Sequence, residues 1–353
     1  MKFILLILLS VSAWAQSPLE DILNKYEGVG LSYAVVKKGK IIRTGAVGKK
    51  NLDTGEDLKP EHIFRIASIS KSFTATALMH LQEEGKLDID DDISKYLGYP
   101  LRHPKYPEVV ITLKMLMSHT SALSDDKGYF TLDVLQNDPP FHPYAPGEGY
   151  SYCNLNYNLL GSVVEKVSGI RFDQYIEQII LKPLGLTAGY RVDALPAQLL
   201  TPLYAYENGF KVSEAAYHPR REEISKYEMG KTTPIFSPTG GLKISAPDLA
   251  KYMIMHMRYG KKGVLSKKSA QIMQTPVLKG YGLGLLQTEL LIPGETMIGH
   301  TGSAYGLYSM MFFHPKKKFG YVVITNGCKD CTAEPYNLML KEAVLYLDQE
   351  FRK

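Results

Sequence analysis

The segment "FRIASISKSFTATALMHLQEEGKL", Phe64 to Leu87, carries a lysine inside an otherwise apolar helical pattern. If this segment is an α-helix, its apolar residues lie on nearly every face of the helix. The pattern therefore predicts a helix that is buried on all sides. The residues that produce this pattern are Phe73, Ala75, Ala77, Leu78, Met79 and Leu81. A buried ammonium is costly, so Lys71 must be neutral, paired or at the edge of a cleft.

Ser68 stands three residues before Lys71, and residues three apart share one face of a helix. With Ser68 near the first turn, its hydroxyl can reach the Lys71 amine, and the free backbone N–H groups of that turn favour a developing anion. Burial lowers the pKa of a lysine, and a serine beside a neutral amine is an activated nucleophile. A Ser-x-x-Lys pattern also arises by chance, so it requires support from elsewhere. Ser70 and Ser72 are weaker candidates because neither has a lysine three positions later.

Strand-like segments lie at both ends of the chain, with helical segments between them. Alternation and turn signals predict a hairpin at 29–48 and strands at 281–287, 296–300, 305–313 and 319–326. Helical periodicity predicts helices at 112–119, 154–169, 172–181, 245–260 and 333–349. Gly169 and Pro183 are the predicted stops of two of these helices, and Ser245 is the predicted N-cap of another.

This order of elements predicts an α+β fold. One antiparallel sheet is built from N-terminal and C-terminal strands and flanked by helices, and a mainly helical region is inserted in the middle, so the two ends of the chain should lie close together. We expect a single domain over 16–353, with an α/β part at about 16–85 and 236–353 and a helical or loop region at about 86–235. Secondary structure in the irregular stretch 183–238 is not predicted, and this stretch is expected to shape part of the substrate pocket.

The N-terminal segment "MKFILLILLSVSAWAQ" has the features of an export signal: Lys2, an apolar run and small residues before the expected cleavage after about Ala15. The apolar run is shorter than the ~18 residues that span a bilayer, and no later stretch is long enough either. The mature protein is therefore expected in the periplasm or outside the cell, without a membrane span.

Composition is that of an ordinary globular protein, with 45% hydrophobic and 22% charged residues among 353. Basic residues occur only in short clusters, so nucleic acid is not an expected partner. The chain has three cysteines. Cys328 and Cys331 are either a small disulfide or two free thiols, and a zinc site would need a second pair of ligands that the sequence lacks.

A second cluster, "APGEGYSYCNLNYNLLG" at 145–161, places Tyr152 two residues before Asn154 and directly before an amphipathic helix. Alternate residues of an extended segment point the same way, so a phenol and an amide can enter one site. The tyrosine could relay a proton if a neighbouring cation lowered its pKa, and the amide could hold a substrate carbonyl or the lysine. The alternative is a helix-capping asparagine preceded by a packed tyrosine.

A third cluster, "IGHTGSAYG" at 298–306, carries His300 on a strand, followed by Gly302. A glycine in a strand lets another backbone or a ligand come close. A β-bulge with a surface histidine is the alternative interpretation of this cluster taken by itself.

Taken in order, these three clusters resemble the S-x-x-K, Y-x-N and K-T-G motifs of the serine β-lactamase and penicillin-binding-protein superfamily. The resemblance extends to "ITLKMLMSHTSAL", "LKPLGL" and "SPTGGLKISAPDLAKYM", which are similar to segments of the class C β-lactamase-related branch. That branch also contains family VIII esterases and D-aminopeptidases. The similar segments cover most of the chain from about Phe64 to Gly306.

The resemblance implies a role for each matching position. Ser68 would be the acylated nucleophile, Lys71 its activating partner and Tyr152 the proton relay. Asn154 would help to position the substrate and the lysine. The backbone amides of Ser68 and Ser303 would form the oxyanion hole. His300, Thr301 and Gly302 would line the opposite wall of the cleft. No metal or organic cofactor is called for.

Three positions depart from the family pattern. His300 stands where penicillin-directed members carry a lysine, so this wall is expected to be mostly uncharged at neutral pH and a poor site for a substrate carboxylate. In this respect the chain is similar to the esterase and D-aminopeptidase members. Cys153 replaces a common serine and is either a small filler or an oxidation-sensitive thiol. Ala122 replaces a usual glycine in "SHTSAL".

The expected function is that of an exported serine hydrolase. It acts through an acyl-enzyme on ester or amide bonds of small molecules or short peptides, including peptides of D-amino acids. One alternative is a DD-peptidase or β-lactamase, and another is a penicillin-binding sensor without turnover. Ser121 and His119 suggest a Ser-His pair of the α/β-hydrolase kind, but the chain has no G-x-S-x-G elbow. The sequence leaves the oligomeric state open.

Overall fold

The structure, a computed structural model, describes residues 17–329, 331–333 and 335–352. The predicted export signal, 1–15, lies outside the described residues. In the part of the chain that is described, no helix combines the length and the apolar character needed to cross a bilayer.

Six strands form the main sheet, which is antiparallel throughout, in the spatial order β2-β1-β11-β10-β9-β8. The strands of the described chain are β1 Gly30–Lys37, β2 Lys40–Gly48, β3 Phe64–Arg65, β4 Ala188–Gly189, β5 Tyr204–Tyr206, β6 Phe210–Val212, β7 Lys243–Ile244, β8 Leu286–Thr288, β9 Met297–Ala304, β10 Leu307–His314, β11 Phe319–Thr325, β12 Thr332–Ala333 and β13 Tyr336–Asn337. Strand β1 pairs with β11, so N-terminal and C-terminal strands meet at the centre of one sheet as predicted.

Helices cover both faces of the sheet and form most of the inserted region. They are α1 Pro18–Lys25, α2 Ser70–Glu83, α3 Ser94–Leu97, α4 Leu113–Met117, α5 Asn154–Ser168, α6 Phe172–Ile176, α7 Lys182–Leu184, α8 Arg221–Ser225, α9 Ala246–Met257, α10 Lys267–Gln274 and α11 Leu338–Phe351. The predicted α+β fold is therefore confirmed.

Alternation along β1 divides the protein interior into two cores. Ala34 and Val36 pack into a large core with α2, α5 and α9, whereas Tyr33 and Val35 pack into a smaller core with α1 and α11. This is the period of two expected for a strand that is buried on both faces. The large core contains α2, in which every residue from Ser70 to Met79 is buried, as the sequence predicts.

The ends of the helices follow the capping signals with one exception. The Ser245 side chain accepts a hydrogen bond from the backbone N–H of Asp248 at the start of α9, and Gly169, with φ of 70°, ends α5. Pro183 was wrongly predicted to stop the helix that begins at Phe172. The chain continues through a π-helical turn, 177–181, directly into α7, in which Pro183 is the second residue.

Two of the open questions about individual residues are answered by the fold. Cys328 and Cys331 form a disulfide rather than two free thiols. Ala122 has φ of 62°, in the left-handed region that a glycine adopts without strain.

Candidate active site

Ser68 is presented by a sharp turn between β3 and α2. Ala67, with φ of 46°, turns the chain into a single 3-10 turn, Ala67–Ile69, which continues directly into α2. A left-handed conformation in a residue other than glycine is strained, and such strain is commonly found at functional sites. The turn places Ser68 on the wall of an open cleft of about 590 Å³, a size suited to a small-molecule site.

The Lys71 amine makes three hydrogen bonds that determine where its lone pair points. Its Nζ lies 3.1 Å from the Ser68 hydroxyl, 2.8 Å from the Asn154 side-chain oxygen and 3.0 Å from the Thr239 carbonyl oxygen. The last two partners can only accept. A neutral amine therefore donates its two protons to them, and its lone pair is left for the Ser68 hydroxyl.

Burial lowers the pKa of Lys71 to about 7, and the charge of Asp125 opposes this shift. The side chain is completely buried. A large fraction of the amine is consequently neutral at physiological pH. Of the alternatives set by the sequence, Lys71 is therefore a buried amine with a lowered pKa, hydrogen-bonded to neutral groups at the edge of the cleft.

Tyr152 lies beside both of these groups. The Lys71 Nζ is 4.7 Å from the centroid of the Tyr152 ring, and a hydrogen bond with Ser68 acts to lower the pKa of the phenol. Burial acts more strongly in the other direction, so the phenol pKa is raised, although 38% of the residue is open to the cleft and solvent moderates the rise. The condition set for a proton relay, a lowered pKa, is therefore not met. Tyr152 is a neutral phenol and suits a proton donor better than a base.

The orientation of the Asn154 amide is set by Asp125, a residue that the sequence analysis did not identify. One carboxylate oxygen of Asp125 accepts from the backbone N–H and the side-chain NH₂ of Asn154, both at 2.9 Å. The other accepts from the backbone N–H of Leu155 at 2.9 Å and from the thiol of Cys153 at 3.3 Å. Because a carboxylate only accepts, the amide NH₂ must face Asp125 and its oxygen must face Lys71.

His300 is held in a neutral form by two partners. Its Nδ1 faces the carbonyl oxygen of Thr301, which can only accept, so that nitrogen carries the proton and Nε2 accepts from the Tyr281 hydroxyl at 2.7 Å. Burial and the charge of Lys71 lower the pKa of His300 to about 3. This wall of the cleft therefore carries no positive charge. Tyr281 was also missed in the sequence.

Strand β9 approaches the nucleophile through Gly302. A side chain there would place its first carbon 2.3 Å from the carbonyl oxygen of Ile66, so only glycine fits. The Ser309 hydroxyl of β10 donates to the same oxygen at 3.0 Å. Strand β8 pairs with β9 only at Met297–Gly299, which leaves the part of β9 that carries His300 and Ser303 with an open edge on the cleft. Backbone N–H groups on an open strand edge can serve as donors.

The competing nucleophiles have structural partners instead. The Ser70 hydroxyl accepts from the backbone N–H of Leu242, and the Ser72 hydroxyl donates to the carbonyl oxygen of Ile69. The Ser121 hydroxyl donates to the Asn156 side-chain oxygen.

His119 does not form the Ser-His pair considered from the sequence. Its Nδ1 accepts from the backbone N–H of Cys153, and its ring packs 4.4 Å from that of Tyr152. Cys153 itself is buried, and burial raises the pKa of its thiol, so it fills space as a protonated group. No group of three or more histidine, cysteine, aspartate or glutamate side chains able to hold a metal is present in the described chain.

The cleft therefore brings together all of the residues that the sequence singled out, namely Ser68, Lys71, Tyr152, Asn154, His300, Thr301, Gly302 and Ser303. A family model described as Beta-lactamase matches residues 16–343, which is most of the chain. The chain belongs to the beta-lactamase family. It is thus grouped with the serine hydrolases of the β-lactamase and penicillin-binding-protein type.

Relatives with curated descriptions are similar along most of this chain. Protein flp of Staphylococcus aureus (strain N315) is 25% identical over 334 residues, which cover 87% of this chain and 61% of that protein. Penicillin-binding protein 4* of Bacillus subtilis (strain 168) is 25% identical over 331 residues, covering 87% of this chain and 70% of that protein. The chain thus spans less than two thirds of the length of the first of these relatives.

Solved structures share the fold. The octameric penicillin-binding protein homologue from Pyrococcus abyssi has a TM-score of 0.73 and 27% identity, and the match covers 93% of this chain and 76% of that one. The D-amino acid amidase from Ochrobactrum anthropi SV3 has a TM-score of 0.73 with 96% and 100% coverage. At 19% identity the second similarity is one of fold.

Proposed function

We propose that this protein is an exported serine hydrolase that forms an acyl-enzyme on Ser68 and cleaves ester or amide bonds of small molecules or short peptides, including peptides of D-amino acids. The observation that supports this most directly is the set of hydrogen bonds around Lys71. Two obligate acceptors take its protons and leave the lone pair 3.1 Å from the Ser68 oxygen. An amine with a pKa of about 7 is well matched to a general base at neutral pH.

In the proposed acylation step, the Ser68 oxygen attacks the substrate carbonyl carbon and its proton passes to the Lys71 amine. The carbonyl oxygen becomes an oxyanion, which accepts hydrogen bonds from the backbone N–H groups of Ser68 and Ser303. Each such donor contributes about 3 kcal/mol in enzymes where one has been removed. The bond to the leaving group then breaks, and the Tyr152 phenol, next to Lys71, supplies the proton that the leaving oxygen or nitrogen takes. The Lys71 ammonium then returns a proton to Tyr152, which restores both groups. In deacylation, water attacks the acyl carbon and gives a proton to Lys71, and the departing Ser68 oxygen takes its proton from Tyr152.

The proposed substrates need no carboxylate on the His300 side of the cleft. His300 is neutral and both of its ring nitrogens have protein partners. At the other end, Tyr129, Phe130 and Tyr305 line the cleft. Phe130 is 67% exposed and its ring packs 4.4 Å from the Tyr129 ring, so the two form one aromatic surface on the cleft. These aromatic rings favour an apolar or aromatic acyl group.

The test uses intact-mass spectrometry and turnover of a neutral chromogenic ester. The wild-type protein should release product rapidly, and Ser68→Ala should lose both turnover and any acyl adduct. Ser72→Ala is the matched control, because this serine lies on the same helix but bonds to the Ile69 carbonyl. Turnover that survives Ser68→Ala contradicts the proposal. A persistent adduct on Ser68 without turnover, with the ester or with a penicillin, would instead favour the sensor.

The pH dependence of turnover follows from Lys71. The neutral amine is the active form, and its pKa is about 7. We expect kcat/KM for a neutral ester to fall about tenfold per pH unit below pH 7 and to reach a plateau above it. A pH profile measured with an uncharged substrate checks this. A flat profile between pH 5 and 8 would exclude Lys71 as the base.

Because His300 is neutral, we can predict the effect of placing a positive charge on its side of the cleft with His300→Lys. The added charge should raise the acylation rate for carboxylate-bearing β-lactams, relative to neutral esters, by about tenfold, which corresponds to about 1.4 kcal/mol. His300→Gln is the control, since it keeps a polar side chain without charge. Stopped-flow acylation rates for a penicillin and a neutral ester give the ratio. An equal loss for both substrates would count against the charge argument.

Export is proposed from the N-terminal sequence alone, with cleavage after about Ala15. N-terminal sequencing of the protein recovered from separated cell fractions tests it. A mature chain that still begins at Met1 in the cytoplasmic fraction would contradict export.

A further inference from the structure

Two basic side chains face each other in a short antiparallel pair next to the active-site cleft. Arg65 of β3 and Lys243 of β7 are directly paired residues. Like charges opposite each other in a ladder are destabilising. Lys243 is only 5% exposed, so solvent does little to screen this repulsion.

The hydrogen-bond partners of these two side chains carry no negative charge. The Arg65 guanidinium donates to the carbonyl oxygens of Gly240 and Ala216 and to the Ser237 hydroxyl. The Lys243 amine donates to the carbonyl oxygen of Tyr190 at 2.5 Å. All of these acceptors are neutral. A buried ion is normally paired with an opposite charge, because removing it from water is costly.

Two further arginines, Arg220 and Arg191, lie next to Arg65 and Lys243 and line the same small cavity. Arg220 has only a loose ion pair, 3.9 Å from Glu223. Arg191 is paired with Asp193 at 3.2 Å, yet its Nε–H is buried without a hydrogen-bond partner among the described protein atoms. These residues, with Arg65 and Lys243, surround a cavity of about 30 Å³. Burial and, after it, the charges of Arg65 and Arg220 hold the pKa of Lys243 well below its ordinary value, and an anion beside the amine would act in the opposite direction.

The size and position of this cavity restrict what can occupy it. A single water requires about 10–15 Å³ by the same measure, so about 30 Å³ accepts two water-sized groups. That matches the two oxygens of one carboxylate and is small for a phosphate ester. Arg65 and Ser237 line both this cavity and the catalytic cleft. A group bound here is therefore next to the substrate.

We propose that Arg65, Lys243 and Arg220 bind a carboxylate in this cavity, a binding site separate from the wall of the cleft that carries His300. Guanidinium groups recognise carboxylates by paired hydrogen bonds, and Arg65 retains unused N–H donors for this. The carboxylate is either the far end of an acyl group bound in the cleft or a free carboxylate from solution. The site does not depend on the proposed hydrolysis, since binding can be measured without turnover.

The first experiment measures binding by thermal denaturation of the full-length protein in a buffer without small anions. Sodium glutarate is added at constant ionic strength. We expect the wild-type Tm to rise by about 3 °C or more at saturation. Lys243→Met and Arg220→Met should lose this rise, and Lys268→Met, an exposed lysine on α10, should keep it. Arg220 is partly exposed, so its variant keeps the test valid if Lys243→Met does not fold.

The second experiment identifies the source of the carboxylate. It compares kcat/KM for the 4-nitrophenyl monoester of glutaric acid with that for the 4-nitrophenyl ester of pentanoic acid, which has the same chain length. A ratio that falls at least about tenfold in Lys243→Met assigns the site to the substrate. An unchanged ratio with a lost Tm rise assigns it to a free carboxylate. An equal Tm rise in wild type and in both variants, or no rise and an unchanged ratio, overturns the proposal.

Discussion

Lys71→Met is expected to lower kcat/KM for a neutral ester by at least about 10³-fold. Methionine has nearly the length of lysine, but its thioether is not basic enough to take the Ser68 proton. Removing one member of a nucleophile and base pair in other hydrolases has effects of this order or larger. Steady-state rates for wild type and variant, with active-site titration of the wild type, check the magnitude.

The fold should survive this substitution. An apolar side chain in a buried position avoids the cost of placing an amine there, and this offsets the loss of a donor to Asn154 and Thr239. Far-UV circular dichroism and Tm therefore distinguish lost chemistry from lost structure. Lys268→Met controls for a change of net charge. If Lys71→Met keeps more than a tenth of the wild-type activity with an unchanged fold, another group is the base.

Asp125→Ala is expected to lower kcat/KM about 10²-fold, although Asp125 does not contact Ser68 or Lys71 in the described hydrogen-bond network. Without the carboxylate, the Asn154 NH₂ loses the acceptor that fixes its side of the amide, and the oxygen is held toward Lys71 less firmly, by the amine and the Thr239 hydroxyl. Three donors at the start of α5 also lose their acceptor, and we expect a loss of about 1–3 kcal/mol in the free energy of unfolding. Chemical denaturation measures the loss in the free energy of unfolding, and ester turnover measures the fall in kcat/KM.

Two comparisons show whether Asp125 acts by positioning Lys71 or only by stabilising the fold. The Asp125 charge raises the pKa of Lys71, so its removal should move the acid limb of the pH profile below pH 7. A purely structural role would leave that limb in place. Asp126→Ala is the matched control. The Asp126 carboxylate is next to Asp125 in the sequence, but it accepts a hydrogen bond from the Ser124 hydroxyl and takes no part in the site. Equal activity of the two variants would contradict this role for Asp125.

The sequence was sufficient to predict those parts of the site and the fold whose geometry is determined by spacing along one element. Ser68 and Lys71 are one helical turn apart, so their contact follows from the helix itself. The pairing of N-terminal with C-terminal strands also followed from the order of elements. Strand β8, predicted at 281–287, is shorter and begins at Leu286. Tyr281 instead makes isolated bridges to Leu278 and Leu286.

The rest of the site depends on contacts between segments that are distant in the sequence. The periodicity of apolar residues does not predict such contacts. Asp125 lies in a loop 29 residues before Asn154, next to a second aspartate that looks equivalent in the sequence. Tyr281 reaches His300 from outside β8, although the predicted strand included it. The basic cavity combines β3, β7 and the irregular stretch 183–238, whose path the sequence did not indicate. Such contacts are fixed by tertiary packing and not by local propensity.

The approach of Gly302 to the carbonyl oxygen of Ile66 also bears on how the enzyme matures. The hydrogen bond from Ser309 to that oxygen joins residues 243 positions apart. Contacts of such long range form late in folding, after the intervening chain has been ordered. A nascent chain that has not yet released β9 and β10 from the ribosome has its serine and lysine but half of its cleft. Under the proposed mechanism, Ser68 should therefore become reactive only after β9 and β10 have folded against Ile66.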